Sequence, residues 1–562
     1  AAVRVEDPEV FAATHGEVLR WVAAGDVTGL RVDHPDGLAD PGEYMRRLRA
    51  AAPVWLVVEK ILGVGESLPV SWPVDGTTGY DALREICGVF VDPAAEPKFT
   101  ELAEKLGVLT DFAAVEQECR RLVTDSVLVA EVRRIAALLR DVEPEAARAA
   151  VAEVMIAFGV YRSYLPEGST AWSNAVDRVR RWRPDLALAV HALDEQVRAN
   201  PESELAIRIQ QTSGMVVAKG TEDTAFYRFS RFIGLNEVGG SPDEFGIPAS
   251  GFHTFMAARE AGWPATMTTL STHDTKRSED VRARLAVLSE IPDEFSEAVR
   301  RWSARRGLPE PSLDLLAWQS LIGAWPITAD RLRDYLDKAS KEAKVRTSWI
   351  DHDEEFERAV AAWPEEVLGD AELSGEIEAF VERIRMPGWS NALGQKLLQL
   401  AGPGVPDVYQ GSELWDLSLV DPDNRRPVDF GLREELLDRI ASGWLPEIDD
   451  TGAVKLLVVH RVLTLRRERP ELFTGYRPLT AEGPAYEHAV AFARSQDLVA
   501  VATRMPLRAQ EDGGWRDTVL PLPSGGGTWI DVLTGRVVDG DRPRLSDLLD
   551  RYPVALLVRG ES

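Results

Sequence analysis

Three acidic residues, each at the end of a short apolar run, are the residues of this chain best suited to chemistry: Asp33, Glu59 and Asp274. Arg31 lies two residues before Asp33, on the same side of an extended chain, and would keep that carboxylate ionised. Cleavage of a glycosidic bond needs a nucleophile, a general acid/base and further groups that hold the sugar hydroxyls. Three such acids therefore suit glycosidic bond chemistry.

Five β-rich runs would position these acids. The run before Asp33 and the run before Glu59 are separated by residues 41–52, which have the composition of a helix. Parallel strands joined by helices deliver their last residues to one rim, as at the mouth of a (β/α)8 barrel. The predicted fold class is therefore α/β, a (β/α)8 barrel. The predicted strands are residues 27–32, 54–58, 215–218, 267–272 and 405–409.

Composition divides the chain into six parts. Barrel segments alternate with two helical insertions, and the end of the chain has the short alternating runs of antiparallel strands, with a turn at Gly525–Gly527. This pattern predicts a small C-terminal β-sandwich. The predicted parts are 1–95 with Asp33 and Glu59, the helical insertion 96–205, 206–285 with Asp274, the helical insertion 286–380, 381–480 with the last barrel strand, and the β domain 481–562.

The charge balance restricts the kinds of partner. The 562 residues include 91 acidic and 64 basic side chains, a formal net charge of −27, which would repel nucleic acid and anionic membranes and is compatible with a neutral substrate. No apolar run is long enough to span a bilayer, and no signal peptide is predicted. The two cysteines, Cys87 and Cys119, indicate reduced core thiols in a cytoplasmic protein, with a single bridge between them as the alternative. Histidine and cysteine spacings predict no metal site, and no cofactor is predicted.

The acidic motifs carry a family resemblance. Arg31-x-Asp33, Glu59 and His273-Asp274, taken in order, resemble the catalytic motifs of the α-amylase family of glycoside hydrolases. The flanking sequence is similar, from residue 1 to about residue 480, to one branch of that family, the maltooligosyl trehalose synthases. The blocks that carry this similarity are DHPDGLADP (33–41), VVEKILGVGESLP (57–69), WPVDGTTGYD (72–81), TSWID (347–351) and the stretch 401–430.

The resemblance implies a reaction and roles. It implies an intramolecular transglucosylation in which the reducing-end α-1,4 bond of a maltooligosaccharide becomes an α,α-1,1 bond, by a retaining double displacement. Asp33 matches the nucleophile, Glu59 the general acid/base and Asp274 the third carboxylate. A trehalose-releasing hydrolase is the implied functional partner. The predicted substrate-binding residues are Arg31, His34, His273, Trp72, Tyr80 and Lys219.

Several alternatives stay open at this point. Arg31 and Asp33 could form a structural ion pair, and Glu59 could be an ordinary acid at a strand end. Sugar stacking and loop packing are equally good explanations of Trp72 and Tyr80 in the loop 63–81. For the segment around Lys344, Thr347 and Trp349, contact with substrate and packing between helices are likewise both open. At the level of function, the alternatives are an α-glucan hydrolase and an inactive glucan-binding fragment.

The resemblance also predicts a departure from the family pattern. The family's barrel begins with strands that precede the Arg-x-Asp strand, and only five barrel-type strands are found here. Five strands cannot close an eight-stranded barrel. An incomplete barrel that lacks its first strands is therefore expected.

Overall fold

The computed structural model describes residues 3–524 and 527–560. The chain folds into two compact units, each assembled from separate stretches of sequence. The first unit comprises Ala1–Asp81, Asp111–Phe229 and Gly239–Ser241, and the second comprises Ala82–Thr110, Ser230–Val238 and Pro242–Ser562. The division into six parts predicted from composition remains a prediction.

Most of the described residues are helical, and many of the longer helices begin at a side chain that caps the free backbone N–H groups. Asp40, for example, accepts a hydrogen bond from the Glu43 N–H at 2.9 Å, and Pro41 follows it at the first helical position. The helices are α1 Pro8–Ala24, α2 Pro41–Ala51, α3 Tyr80–Gly88, α4 Glu96–Leu106, α5 Phe112–Asp125, α6 Val129–Ala136, α7 Pro144–Ile156, α8 Ser169–Trp182, α9 Ala187–Ala199, α10 Glu204–Val217, α11 Phe226–Arg228, α12 Ala249–Gly262, α13 Glu279–Ala286, α14 Pro292–Arg306, α15 Pro311–Ala324, α16 Ala329–Ala343, α17 Glu354–Gly369, α18 Ala371–Ala401, α19 Phe430–Ala441, α20 Ala453–Glu468, α21 Pro506–Glu511 and α22 Leu545–Leu548.

A parallel three-stranded sheet lies in the first unit, in the order β1 (Gly29–Val32), β2 (Trp55–Val58) and β3 (Gly76–Thr77). The predicted strands 27–32 and 54–58 are therefore confirmed. The helix predicted between them is confirmed as α2. The strand β3 falls inside the segment that was predicted to be a loop, because a run of two residues has no recognisable alternation.

The strand predicted at 215–218 is wrong. These residues end α10 and begin a π-helical segment, Ala218–Ala225. Val216 and Val217 favour a strand locally, but Ser203 caps α10 by accepting from the Ala206 N–H at 3.2 Å, and the buried residues of α10 recur at helical spacing. A π-helix holds one more residue per turn than an α-helix and is frequent at functional sites.

Helices α5 to α10 of the first unit share one apolar core, whereas α4 belongs to the second unit. Trp172 is fully buried in this core, and its indole N–H donates to Asp194 at 2.8 Å. The helices α5 to α10 contribute most of the other buried side chains. The helical character predicted for residues 96–205 is confirmed.

The second unit contains a short parallel pair, β4 (Met267–Thr268) and β5 (Val405–Pro406). Both were predicted as longer strands, 267–272 and 405–409. The first ends early because side chains bond the following backbone into turns: the Thr269 hydroxyl donates to the Ser271 carbonyl at 3.0 Å, and Thr272 accepts from the Thr275 N–H at 3.2 Å.

The end of the chain forms one six-stranded antiparallel sheet in the order β10-β9-β11-β8-β7-β6. The prediction of antiparallel strands is confirmed. Val519 adds isolated antiparallel bridges to Glu482 and Arg544, and the two-layered sandwich remains a prediction. Two glycines of the predicted turn, Gly525 and Gly526, lie outside the described residues. The strands are β6 Arg477–Leu479, β7 Ala489–Arg494, β8 Leu498–Thr503, β9 Trp529–Asp531, β10 Val537–Val538 and β11 Val554–Arg559.

Two further predictions concern the state of the cysteines and the occurrence of membrane-spanning segments. Cys87 and Cys119 are both buried, and neither is part of a disulfide. Within residues 3–524 and 527–560, none of the helices combines the length and the apolar character that crossing a bilayer requires.

A buried carboxyl next to α21 makes the stability of the second unit depend on pH. Burial raises the pKa of Glu290 to about 7. One carboxyl oxygen accepts from the Arg508 N–H at 2.8 Å, and the other has no hydrogen-bond partner among the described residues. Between the ordinary pKa near 4.5 and the raised value, the folded chain binds a proton that the unfolded chain has lost, so the free energy of unfolding falls as the pH rises.

We therefore expect Glu290→Gln to raise the melting temperature at pH 8 relative to the unmodified protein, and to change it less at pH 5, where the folded chain already binds the proton. Thermal unfolding followed by circular dichroism at several pH values measures both. The exposed Glu297→Gln on α14 is the matched control. If Glu290→Gln lowers the melting temperature at pH 8 as much as at pH 5, the ionised carboxylate is not a source of instability.

Candidate active site

The register of the parallel sheet places Asp33 and Glu59 side by side. Val32 of β1 is paired with Val58 of β2, and each acid is the residue that follows. The Glu59 N–H donates to the Val32 carbonyl at 2.8 Å, which continues the ladder by one residue. Both carboxylates thus leave the carboxyl end of the sheet on neighbouring strands, as predicted from the two apolar runs.

Arg31 bridges the two acids. One guanidinium nitrogen lies 2.8 Å from Asp33 Oδ1, and the other lies 3.6 Å from Glu59 Oε1. The Asp33 side chain is 70% exposed and that of Glu59 only 15%, so Asp33 is open to a reactant and Glu59 is more enclosed. The ion pair between Arg31 and Asp33, which the sequence left open, is therefore present. Because the same guanidinium also reaches Glu59, it holds both acids in one small site.

His34 holds the second oxygen of Glu59 through its backbone. The His34 N–H donates to Glu59 Oε2 at 2.9 Å, and this direction requires a left-handed backbone at His34, with φ 42° and ψ 57°. A Cβ at Gly37 would lie 2.8 Å from the His34 ring. Glycine at 37 therefore leaves room for the imidazole, which is exposed beside the acid pair.

A buried lysine lies directly behind this pair. Because side chains alternate along a strand, Lys60 points away from the side of Glu59, and its ammonium lies 3.0 Å from Glu66 and 3.4 Å from Asp36. Burial alone would lower the pKa of Lys60, but the two carboxylates raise it above the ordinary value. The Tyr164 hydroxyl donates to Asp36. The sequence analysis missed this cluster, although the three charged residues fall within the blocks that carry the family resemblance.

Lys219 lies on the π-helical segment, where it forms an ion pair with Asp223 at 2.7 Å. Its side chain is 54% exposed. On the same segment Glu222 accepts from the Tyr161 hydroxyl, and burial raises the pKa of Tyr161 well above its ordinary value. The close approach of the segment to α5 depends on Gly220, where a Cβ would lie 2.7 Å from the Arg120 Cα.

Trp72 and Tyr80 are buried, with 4% and 2% of their surface exposed. Trp72 packs edge to face with Tyr164, at 4.9 Å between ring centroids. This burial favours loop packing, one of the two explanations that the sequence left open for both residues. Because aromatic residues suit both roles, their types alone could not distinguish the two.

In the second unit Asp274 is paired with His273, whose Nε2 lies 3.0 Å from Asp274 Oδ2. Both side chains are about half-exposed. Asn424 donates to the backbone carbonyls of Thr272 and His273 at 3.2 and 3.1 Å, so a loop 150 residues further along the chain fixes this turn. Sequence reasoning missed Asn424, for which only the resemblance of the stretch 401–430 gave a signal.

A buried ionic cluster follows the turn that carries Asp274. Lys455 lies 2.7 Å from Glu279 and 2.8 Å from Asp280, and Lys396 lies 2.8 Å from Glu279. All four side chains are at most 3% exposed. Ser271 is hydrogen-bonded to Glu279 at 3.1 Å, and this bond joins the cluster to the turn that carries Asp274.

The structure thus brings Arg31, Asp33, His34 and Glu59 together in the first unit, and His273 and Asp274 together in the second. The prediction that all three acids share one rim remains a prediction. Paired carboxylates at the carboxyl end of a parallel sheet, bridged by one arginine, define an α/β protein with the kind of site that cleaves glycosidic bonds.

Comparisons with known proteins specify the family. The chain is 42% identical over 574 residues to a protein of Mycobacterium tuberculosis described as a maltooligosyl trehalose synthase, covering 100% of this chain and 73% of that protein. The solved maltooligosyltrehalose synthase of Arthrobacter ramosus is 46% identical, with a TM-score of 0.96 over 99% of this chain and 73% of that one. A hypothetical maltooligosyl trehalose synthase of Sulfolobus tokodaii is 29% identical, with a TM-score of 0.81 over 99% of this chain and 72% of that one. No family model matches the chain.

The chain therefore belongs to the maltooligosyl trehalose synthase family. The resemblance found in the sequence motifs is confirmed.

Proposed function

We propose that this protein is an intramolecular transglucosylase that converts the reducing-end α-1,4 bond of a maltooligosaccharide into an α,α-1,1 bond. The observation that carries the proposal is the arginine-bridged pair Asp33 and Glu59 at the ends of adjacent parallel strands. Membership of the family supplies the substrate class and the type of bond formed.

In the first step, a carboxylate oxygen of Asp33 attacks the anomeric carbon next to the terminal glucose. Glu59, in its protonated form, donates its proton to the glycosidic oxygen, and the bond between that oxygen and the anomeric carbon breaks. The products are a glycosyl ester on Asp33 and one free glucose. Asp33 suits attack because its carboxylate is exposed and Arg31 compensates its charge at 2.8 Å.

In the second step, the released glucose must react before water does. Glu59, now ionised, accepts the proton of the anomeric hydroxyl, and that oxygen attacks the same anomeric carbon while the ester bond to Asp33 breaks. Both acids return to their starting forms. Substrate and product are isomers, so the two carboxylic groups supply all the proton transfers that the reaction requires.

The remaining site residues hold the sugars. Asp274 would accept hydrogen bonds from hydroxyls of the distorted donor ring, with His273 beside it at 3.0 Å. His34 and Lys219 are exposed donors in the first unit, and Arg31 can donate to a substrate oxygen in addition to its carboxylates. Trp72 and Tyr80 are buried, which supports packing within the loop 63–81 as their role in place of stacking on a sugar.

Three further statements belong to this proposal. A (β/α)8 barrel is supported by the parallel strand pairs found in each unit. A cytoplasmic location is supported by the two buried cysteines, neither of which is part of a disulfide. Functional pairing with a trehalose-releasing hydrolase is supported by the chemistry alone, because the α,α-1,1 product has lost its reducing end and needs a different enzyme to release trehalose.

A reducing-sugar assay on maltopentaose tests the proposal. We expect reducing power to be lost while the number of glucose units per molecule stays at five, because the anomeric hydroxyl is consumed without shortening the chain. Mass spectrometry and free-glucose measurement complete the assay. A gain in reducing power would identify an α-glucan hydrolase instead, and unchanged reducing power at high protein concentration would contradict turnover altogether.

A further inference from the structure

An exposed tryptophan stands at the tip of the loop between α16 and α17. Trp349 is 53% exposed, and the neighbouring Ile350 is 91% exposed. Two adjacent large apolar side chains form an exposed patch, and such patches can mark ligand-binding sites. The proposed reaction uses neither residue, and the sequence left contact with substrate and packing between helices open for this segment.

The indole ring is held in a fixed position despite its exposure. Its N–H donates to Glu342 Oε1 at 3.1 Å, and the Lys341 ammonium lies over one ring face, 5.1 Å from the centroid. Lys341 is itself fixed by Asp337 at 2.8 Å. One face of the ring is therefore occupied by a cation, and the exposed surface is left for a ligand.

The backbone of the loop is equally constrained. The Ser348 N–H donates to the Asp351 carbonyl at 2.8 Å, and the Ser348 hydroxyl accepts from the Asp351 N–H at 2.9 Å. The Thr347 side chain is 3% exposed and donates to Glu357. A ligand that stacks on Trp349 would therefore lose little free energy to ordering the loop, which is the property of a preorganised binding platform.

Helix α16 connects this platform to the loop that fixes the Asp274 turn. Arg331 at its beginning is bidentate to Asp423, with both distances 2.8 Å. Lys338 donates to the Asp421 side chain at 2.7 Å. The same loop contributes Asn424, which binds the backbone of the Asp274 turn. The helix extends only about 8 Å beyond Lys338 before the loop with Trp349 begins, so the platform lies in the same unit as the Asp274 turn and is joined to it through this helix and the loop with Asn424.

We propose that Trp349 is an outer subsite that stacks on a glucose unit of the α-glucan chain, remote from the bond that is rearranged. The C–H face of a pyranose ring is apolar and flat enough to cover an indole, while its hydroxyls remain in water or reach the carboxylates around the loop. An uncharged polyol is also the ligand that a chain with a net charge of −27 does not repel. The choice of a glucan rests on the proposed function.

Substrate length tests the proposal. We expect Trp349→Ala to lower kcat/KM for maltoheptaose about tenfold through KM, and to leave kcat/KM for maltotetraose within twofold, because the shorter chain does not reach the platform. Trp349→Phe should recover most of the activity on maltoheptaose. Ile350→Ala, which removes the adjacent exposed side chain and keeps the indole, is the matched control and should behave as the unmodified protein with both substrates.

A measurement of binding that requires no turnover distinguishes a failure of this proposal from a failure of the proposed function. Migration of the folded protein in native gels that contain amylose should be retarded, and Trp349→Ala should abolish most of the retardation while circular dichroism and the melting temperature stay unchanged. If the protein shows no mutase activity but its retardation depends on Trp349, the platform stands and the proposed function fails. Equal losses on both substrates, or retardation unchanged in Trp349→Ala, would overturn the platform.

Discussion

Replacing Asp33 with asparagine is expected to lower the rate of conversion of maltopentaose by at least about 10⁴-fold, as removal of an essential nucleophile does in other enzymes. The amide keeps the volume of the side chain and can still accept a hydrogen bond from Arg31, which lies 2.8 Å from Asp33. It cannot form the glycosyl ester that the first step requires. Single-substrate kinetics, with mass spectrometry of the products, measure the loss.

Asp26→Asn is the control for this change, because Asp26 is an exposed aspartate a few residues before β1. It should retain full activity. Both variants should unfold at the same temperature as the unmodified protein, since the Asp33 side chain is 70% exposed. A rate for Asp33→Asn within tenfold of normal, with the same product, would remove Asp33 from the nucleophile's role.

Replacing Lys455 with methionine is expected to destabilise the second unit by about 3–5 kcal/mol, the cost of leaving a buried charge without its partner. The ammonium lies 2.7 Å from Glu279 and 2.8 Å from Asp280, and its own exposure is 0%. The carboxylates outweigh the effect of burial and raise the pKa of Lys455, so the group is charged in the folded chain. The midpoint of urea unfolding, followed by tryptophan fluorescence, measures the loss.

A double variant separates charge from packing. Lys455→Met with Asp280→Asn removes one cation and one anion and leaves Lys396 paired with Glu279 at 2.8 Å, so we expect much of the lost stability to return. The exposed Lys105→Met, on α4, is the control and should change stability by less than about 0.5 kcal/mol. If the second substitution adds to the loss, the Lys455 effect comes from lost packing.

The parts of the site that could be predicted from sequence are those that depend on local pattern. Asp33 and Glu59 were found because each follows a short apolar run; the run before Glu59 is near-continuous, and three of the four residues of β2 are buried. The same reasoning failed at Val216 and Val217, where helix periodicity over fourteen residues outweighs a local preference for strand. Asp274 was found from its motif, although the strand before it has only two residues.

The supporting contacts could not be predicted, because they join distant parts of the chain. Asn424 reaches the carbonyls of Thr272 and His273, and the partners of Lys455 lie 175 positions earlier. A charged residue is normally exposed, so nothing in the sequence marks Lys60 or Lys455 as buried. Burial also favours packing as the role of Trp72 and Tyr80, and composition contains no information about which side of a loop faces the core.

The π-helical segment Ala218–Ala225 restricts how the chain can change in length. The backbone hydrogen bonds of such a segment span five residues where those of an α-helix span four, so deleting one residue would shorten that span and move Lys219 and Glu222 relative to their partners. Lys219 and Glu222 could not then both keep Asp223 and Tyr161 as partners. Surface loops absorb insertions and deletions at little cost. This stretch should tolerate substitutions far better than any change in the number of its residues.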